Sequence, residues 1–260
     1  MAARTLITGA SGLLGTWVLR HWDGVGTKAL PFGRSEVDLL APGTATALVA
    51  RTAPDHVVHL AWCASGSADY RSSDDNARWV DATLELVDAA AQSGIPLWVT
   101  GTAVDDAVDA PDAYTRAKAH LRAELAPAVE RGAVGWLRPY YVFDEELRRP
   151  GVLQLAATAR DRDEPVVLGD PSASHDFVHA SDVGRAIVLA VAHGLAGEVP
   201  IGSGRQHTVA ELVTALGADW SADEAQSSPD RTHVDETADI TRLTDLGWAP
   251  TRTEEFFAHV

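Results

Sequence analysis

The first half of the chain alternates short, almost wholly apolar runs with longer segments whose apolar positions recur at helical spacing. The pattern predicts strands over Thr5 to Thr8, Thr27 to Phe32, His56 to Ala61, Ile95 to Thr100 and Ala133 to Leu137. Between them it predicts helices over Leu13 to Trp22, Thr44 to Arg51, Asp74 to Gln92 and Asp112 to Glu130. Strand and helix in strict alternation make βαβ units, so the expected fold is α/β, a Rossmann-type doubly wound parallel sheet. Strands so uniformly apolar are expected where helices cover both faces.

After Pro139 the rhythm loosens. A helix over Val152 to Arg160, a short run Pro165 to Leu168, a strand His175 to Val178 and a helix Ser181 to His193 are expected, followed by terminal segments Val209 to Leu216 and Ile240 to Leu246. Residues 1–138 and about 177–203 are therefore assigned to a dinucleotide-binding core. Residues about 139–176 and 204–260 are assigned to a small C-terminal substrate-binding lobe, not an independent domain.

Composition narrows the partners. A net charge of −16 repels nucleic acid and anionic membrane surfaces, so neither is expected as a partner. No stretch reaches the roughly 18 apolar residues of a membrane span, and no targeting prelude precedes the first strand, so the expected location is the cytoplasm. The single cysteine, Cys63, excludes an intrachain disulfide and a multi-cysteine metal site, and no metal is expected. Of 21 basic residues only Lys28 and Lys118 are lysines, which gives a lysine in a motif somewhat more weight.

Two motifs carry chemistry. The first strand runs into Gly9-Ala10-Ser11-Gly12-Leu13-Leu14-Gly15 and then a helix. Glycines there let the backbone approach a pyrophosphate, met by free N–H groups and the positive helix end. A tight turn needing glycines for its dihedrals alone is the alternative. Further on, Tyr114 and Lys118 stand four apart on one helix face, where an ammonium beside a phenol is expected to favour the phenolate.

These motifs, with Thr100-Gly101-Thr102 closing the strand before the Tyr/Lys helix, resemble the extended short-chain dehydrogenase/reductase family of epimerases, dehydratases and ketoreductases acting on nucleotide sugars. Similar elements recur as Pro54 to Ala61, Leu137-Arg138-Pro139-Tyr140-Tyr141, His175-Asp176-Phe177-Val178, Ile201-Gly202-Ser203-Gly204 and Leu246-Gly247-Trp248. The resemblance implies a catalytic triad of Thr102, Tyr114 and Lys118, with Thr100 as the weaker alternative to Thr102. Tyr114 would move the proton, Thr102 would hydrogen-bond the same substrate oxygen, and Lys118 would hold the nicotinamide ribose. It further implies cofactor contacts from Gly9, Ser11, Gly12, Leu13, Leu14, Gly15, Arg34, Asp38, Leu39, Leu60, Ala61, Trp62, Thr100, Tyr114, Lys118 and Pro139. Substrate contacts are implied for Thr102, Tyr140, Tyr141, His175 and Arg231. Some members dimerise through the helices at Asp74 to Gln92 and Asp112 to Glu130, so a homodimer is carried as an expectation.

The second strand ends in Phe32-Gly33-Arg34-Ser35 with no acid before Glu36, which favours NADP(H) over NAD(H). Ala103-Val104 stand where dehydratases of the family carry Asp-Glu, arguing against dehydration; Asp105 and Asp106 read as a polar loop. His175 occupies the place of an arginine that holds the substrate diphosphate, and Trp79 that of a common asparagine. Four readings follow: an NADP(H)-dependent reductase of a keto group on a nucleotide sugar or deoxysugar intermediate, favoured; a 4-epimerase with retained NAD(P); a reductase of a nucleotide-free ketone or aldehyde; and a non-catalytic NADP sensor.

Overall fold

A computed structural model describes residues 3–23, 25–63, 68–144, 152–223 and 236–260. The first half contains β1 (Arg4–Thr8), α1 (Leu13–Arg20), β2 (Lys28–Phe32), α2 (Thr44–Thr52), β3 (His56–His59), α3 (Asp75–Gln92), β4 (Leu97–Thr100), α4 (Ala113–Glu130) and β5 (Val134–Pro139). A short 3₁₀ turn, Ala68–Arg71, precedes α3. Then come β6 (Tyr141–Phe143), α5 (Val152–Arg162), β7 (Val166–Leu168), β8 (Ser174–His175), β9 (Phe177–His179), α6 (Ala180–Ala192) and β10 (Gly197–Ile201). The chain closes with β11 (His207–Thr208), α7 (Val209–Ala215), β12 (Trp220–Ala222), α8 (Thr241–Thr244) and α9 (Thr251–Phe257).

Six strands form one parallel sheet in the order β10-β5-β4-β3-β1-β2. Successive strand residues point to opposite faces, and the core divides accordingly. Leu6, Val57, Val99 and Trp136 pack with α2, α3 and α4, while Ile7, Val58, Trp98 and Leu137 pack with α1 and α6. This is the doubly wound α/β sheet expected from the alternation.

The sixth strand, β10, escapes the apolar-run pattern because Glu198 and Pro200 interrupt it. It pairs with β5 alone, and a proline is tolerated on such an edge. The expected strand His175 to Val178 is in fact two short strands with different partners: β8 pairs with β11, and β9 with β6. The break falls at Asp176. Its buried carboxylate accepts from the Ser203 and Gly204 N–H groups, the Ser203 hydroxyl and the Ala238 N–H, at 2.6–3.0 Å. The expected segment Ile240 to Leu246 shortens to the single-turn α8, and α9 beyond it has no counterpart in the sequence reading. The lobe's own packing centres on Phe143, Phe177, Leu212 and Phe257.

Candidate active site

The order of the strands reverses at β1 and β3, whose neighbours lie on opposite sides, and such a point leaves a crevice beyond the strands' carboxyl ends. The glycine turn sits there. Gly9 has φ +72°, and a Cβ on it would lie 2.6 Å from the Ala61 nitrogen. At Gly15 a Cβ would lie 2.2 Å from the Gly9 carbonyl oxygen, so the helix packs directly on its own turn. Gly12 is the N-cap of α1, and no side chain caps the helix. The uncapped end opens into a cleft of about 370 Å³ lined by Gly9, Gly12, Leu13, Leu14, Gly15, Leu60, Ala61, Trp62, Thr100, Thr102, Tyr114, Lys118, Pro139, Tyr140 and Tyr141. Free N–H groups with a positive dipole end make an anion cradle, so this turn fits a dinucleotide pyrophosphate.

A second cleft of about 180 Å³ shares Gly9, Gly12, Leu60, Ala61 and Trp62 with the first and adds Ser11, Arg34, Asp38, Leu39, Cys63 and Trp79. The two clefts together take in every residue assigned to the cofactor from sequence. Arg34 is exposed, and no ion pair engages it among the described residues. Glu36 is turned back on its own loop. Its carboxylate accepts from the Gly33 N–H at 2.8 Å and the Ser35 hydroxyl at 2.7 Å, and these bonds hold its pKa low.

The Tyr/Lys helix begins at Asp112, whose carboxylate caps it by accepting from the Thr115 N–H. Within its first turn, the half-buried Tyr114 ring meets Trp62 and Tyr70 edge-on, with centroids 6.3 and 5.2 Å away. Thr102 lines the same cleft as Tyr114. Lys118 is buried; its Nζ donates to the Thr100 carbonyl at 2.8 Å and stands 3.7 Å from the Trp62 ring centre. Thr100 cannot easily share the role of Thr102, because its hydroxyl donates to the His59 carbonyl at 3.1 Å.

The expected tuning of the phenol by the lysine is corrected by this geometry. Burial, reinforced by Tyr70, raises the Tyr114 pKa; the Thr102 hydroxyl and the Arg71 guanidinium oppose the rise. Burial lowers the Lys118 pKa to about 7, with Asp105 acting against it. The ammonium is spent on a carbonyl and an indole face, and the cost of burying charge outweighs attraction between the two groups.

Asp106 is exposed on a turn, as expected of a polar loop, but Asp105 is not. Asp105 is fully buried and accepts from the Thr102 N–H and the Trp136 indole, each at 3.0 Å. Its other oxygen stands 3.1 Å from Arg138 Nε and 3.5 Å from Arg122 Nη1. Arg138 also donates to the Ala103 carbonyl and to Asp106. Two arginines and three carboxylates, counting Glu198, thus anchor the loop that presents Thr102. No spacing rule marks them, since their partners come from β5, α4 and β10.

On the lobe side, Tyr140 and Tyr141 line the larger cleft. His175 lies behind them, its ring stacked on Tyr141 with centroids 4.0 Å apart, and it is not among the cleft-lining residues. Arg231 lies outside the described residues. Sequence reasoning missed Tyr70 and Arg71, which line the cleft from the 3₁₀ turn. The one available signal was an aromatic-basic pair in an otherwise polar loop after the third strand.

A glycine-lined switch-point cleft beside a Tyr/Lys helix defines a dinucleotide-binding protein of the doubly wound α/β class. The family model described as the NAD dependent epimerase/dehydratase family matches residues 5–202. The chain belongs to that family and is an NAD(P)-dependent enzyme of the extended short-chain dehydrogenase/reductase type. Among solved structures it is similar to a UDP-glucose 4-epimerase from Thermus thermophilus, with 20% identity, 99% of each chain covered and a TM-score of 0.72. It is also similar to dTDP-4-dehydrorhamnose reductase from Bacillus anthracis, with 14% identity, 100% of this chain and 99% of that chain covered and a TM-score of 0.76. A GDP-mannoheptose C4 reductase from Campylobacter jejuni aligns at 14% identity over 96% and 94% of the two chains, with a TM-score of 0.74. At such identities the likeness concerns the fold. No match was found among curated proteins. Among the described residues no helix is long and apolar enough to cross a membrane, and no metal-ligating cluster occurs.

Proposed function

We propose that the chain reduces a keto group on a nucleotide sugar or related deoxysugar intermediate with NADPH, using Tyr114 as proton donor. The observation that carries this reading is the convergence of Thr102, Tyr114 and Lys118 on one cleft continuous with the glycine turn. A bound nicotinamide supplies the hydride chemistry.

The protein's residues do the rest. A phenol with a raised pKa holds its proton near neutrality and can deliver it to a substrate oxygen as charge develops there. Thr102 hydrogen-bonds the same oxygen, its main chain fixed by Asp105. Lys118 orients the cofactor ribose from the floor of the cleft, and Tyr140 and Tyr141 wall the substrate side and exclude water. Arg34, exposed beside the second cleft, supports NADP over NAD because its fork matches a ribose phosphate, while Glu36 is occupied within its own loop. The absence of a carboxylate among the described residues lining the larger cleft speaks against dehydration.

The test is a turnover assay with NADPH and a 4-keto-6-deoxy nucleotide sugar. Stoichiometric oxidation of the cofactor is expected. The Tyr114→Phe variant should lose turnover by about 10² to 10⁴-fold while binding NADPH as tightly as the parent. Interconversion of 4-epimers without net cofactor oxidation would establish the epimerase reading in its place. A Tyr114→Phe protein with undiminished turnover would remove the phenol from the chemistry.

A further inference from the structure

The larger cleft carries a charge pattern unlike the chain as a whole. The protein has a net charge of −16, yet among the described residues the ionisable side chains lining this cleft, tyrosines aside, are the basic Arg71 and Lys118. Lys118 is committed to the Thr100 carbonyl and the Trp62 face. Arg71 is held differently. It closes the 3₁₀ turn ahead of α3, its side chain is 45% exposed, and its guanidinium carbon lies 5.6 Å from the ring centres of both Tyr70 and Tyr114.

Among the described residues the acid paired with Arg71 is Asp112, 3.3 Å from a single guanidinium nitrogen. A pair so exposed is worth little. Asp112 does not depend on it, because its carboxylate also accepts from the Thr115 N–H and hydroxyl, each at 2.9 Å. Among the described residues its other neighbours are the Tyr70 and Tyr114 rings, so the fork of five N–H donors presents an edge to a ligand in the cleft beside the reacting phenol.

We infer that Arg71 recognises a carboxylate carried by the substrate a few bonds from the carbon at which Tyr114 acts, so that the substrate is an acidic sugar derivative. This rests on reading the cleft as the site of carbonyl chemistry. A guanidinium pairs with a planar carboxylate through two parallel hydrogen bonds, and a partly desolvated cleft strengthens such a pair. A substrate with an alcohol at that position leaves the cation unpaired and binds less well.

The experiment is calorimetric titration of the NADP⁺-loaded protein with two matched pairs, UDP-glucuronate against UDP-glucose and glucuronate against glucose. The acid is expected to bind at least about tenfold more tightly than its neutral partner. Arg71→Gln should erase that preference, Arg71→Lys should keep part of it, and both variants should bind NADP⁺ within about twofold of the parent. Equal affinity for acid and neutral partner, a preference that survives Arg71→Gln, or failure to hold either acid at millimolar concentration overturns the inference. So does a loss in Arg71→Gln shared equally by UDP-glucuronate and UDP-glucose, which would assign the arginine to the diphosphate. Turnover of a neutral keto sugar combined with any of these results sinks the Arg71 inference alone, whereas failure to bind NADP⁺ takes the enzymatic reading down with it.

Discussion

The glycine-turn side of the molecule and the lobe that faces it are held together by different means. On the first side a ladder of parallel strands sets the geometry, and main-chain close approach at Gly9 and Gly15 shapes the cleft. On the second, two-stranded sheets of two or three residues each contribute little ladder, and buried carboxylates take over. Asp176 gathers three backbone N–H groups and a hydroxyl from loops 27 to 62 residues away in sequence. Asp182 does the same for the C-terminus, accepting from the Thr253 N–H and hydroxyl at 2.7 Å and pairing with Arg185 at 2.6 Å. A sheet-built platform thus faces a lobe pinned at a few polar points.

The largest expected effect tests the pins. Asp176→Ala leaves several buried donors without an acceptor and should lower unfolding free energy by about 3 kcal/mol, with NADP⁺ affinity in the folded fraction nearly unchanged. Chemical denaturation with and without dinucleotide reads both; a loss under about 1 kcal/mol would mean the lobe is held by its apolar packing. Next comes Gly9→Ala, which overlaps the Ala61 backbone and adopts an unfavourable φ. It should cost about 2 kcal/mol and weaken dinucleotide binding at least about tenfold, the reverse of the Asp176 pattern.

Lys118 offers a pH test of the platform. Its pKa is about 7 in the fold against an ordinary 10.5, so its stability contribution is complete above 10.5 and is lost progressively as pH falls from there to about 7. Between pH 9 and pH 7 Lys118→Met should therefore gain about 2 kcal/mol on the parent, and little more below that window. Equal pH slopes in urea denaturation of the two proteins would show that the amine is charged in the fold. The smallest effect belongs to the cofactor's outer end: Arg34→Ser should weaken NADP⁺ about tenfold and leave NAD⁺ alone, measured by competition binding. An unchanged NADP⁺ affinity would strip Arg34 of its role.

The sheet, the helices that cover it and the glycine turn at the two clefts were legible in the sequence because each depends on local patterning. Apolar runs of strand length, helical periodicity and glycines at the first turn report on neighbours a few residues away. The same holds for Tyr114 and Lys118, whose shared helix face follows from a spacing of four. What tertiary structure alone decided lies where distant segments meet. It divided His175 from Phe177 at a carboxylate serving two other loops, and it buried Asp105 against Trp136, Arg138 and Arg122 behind Thr102. It also turned Lys118 toward a carbonyl and an indole rather than toward the phenol, and it set Arg71 beside Tyr114. The burial of these groups and their long-range ion pairs depend on partners far along the chain, which no local pattern encodes.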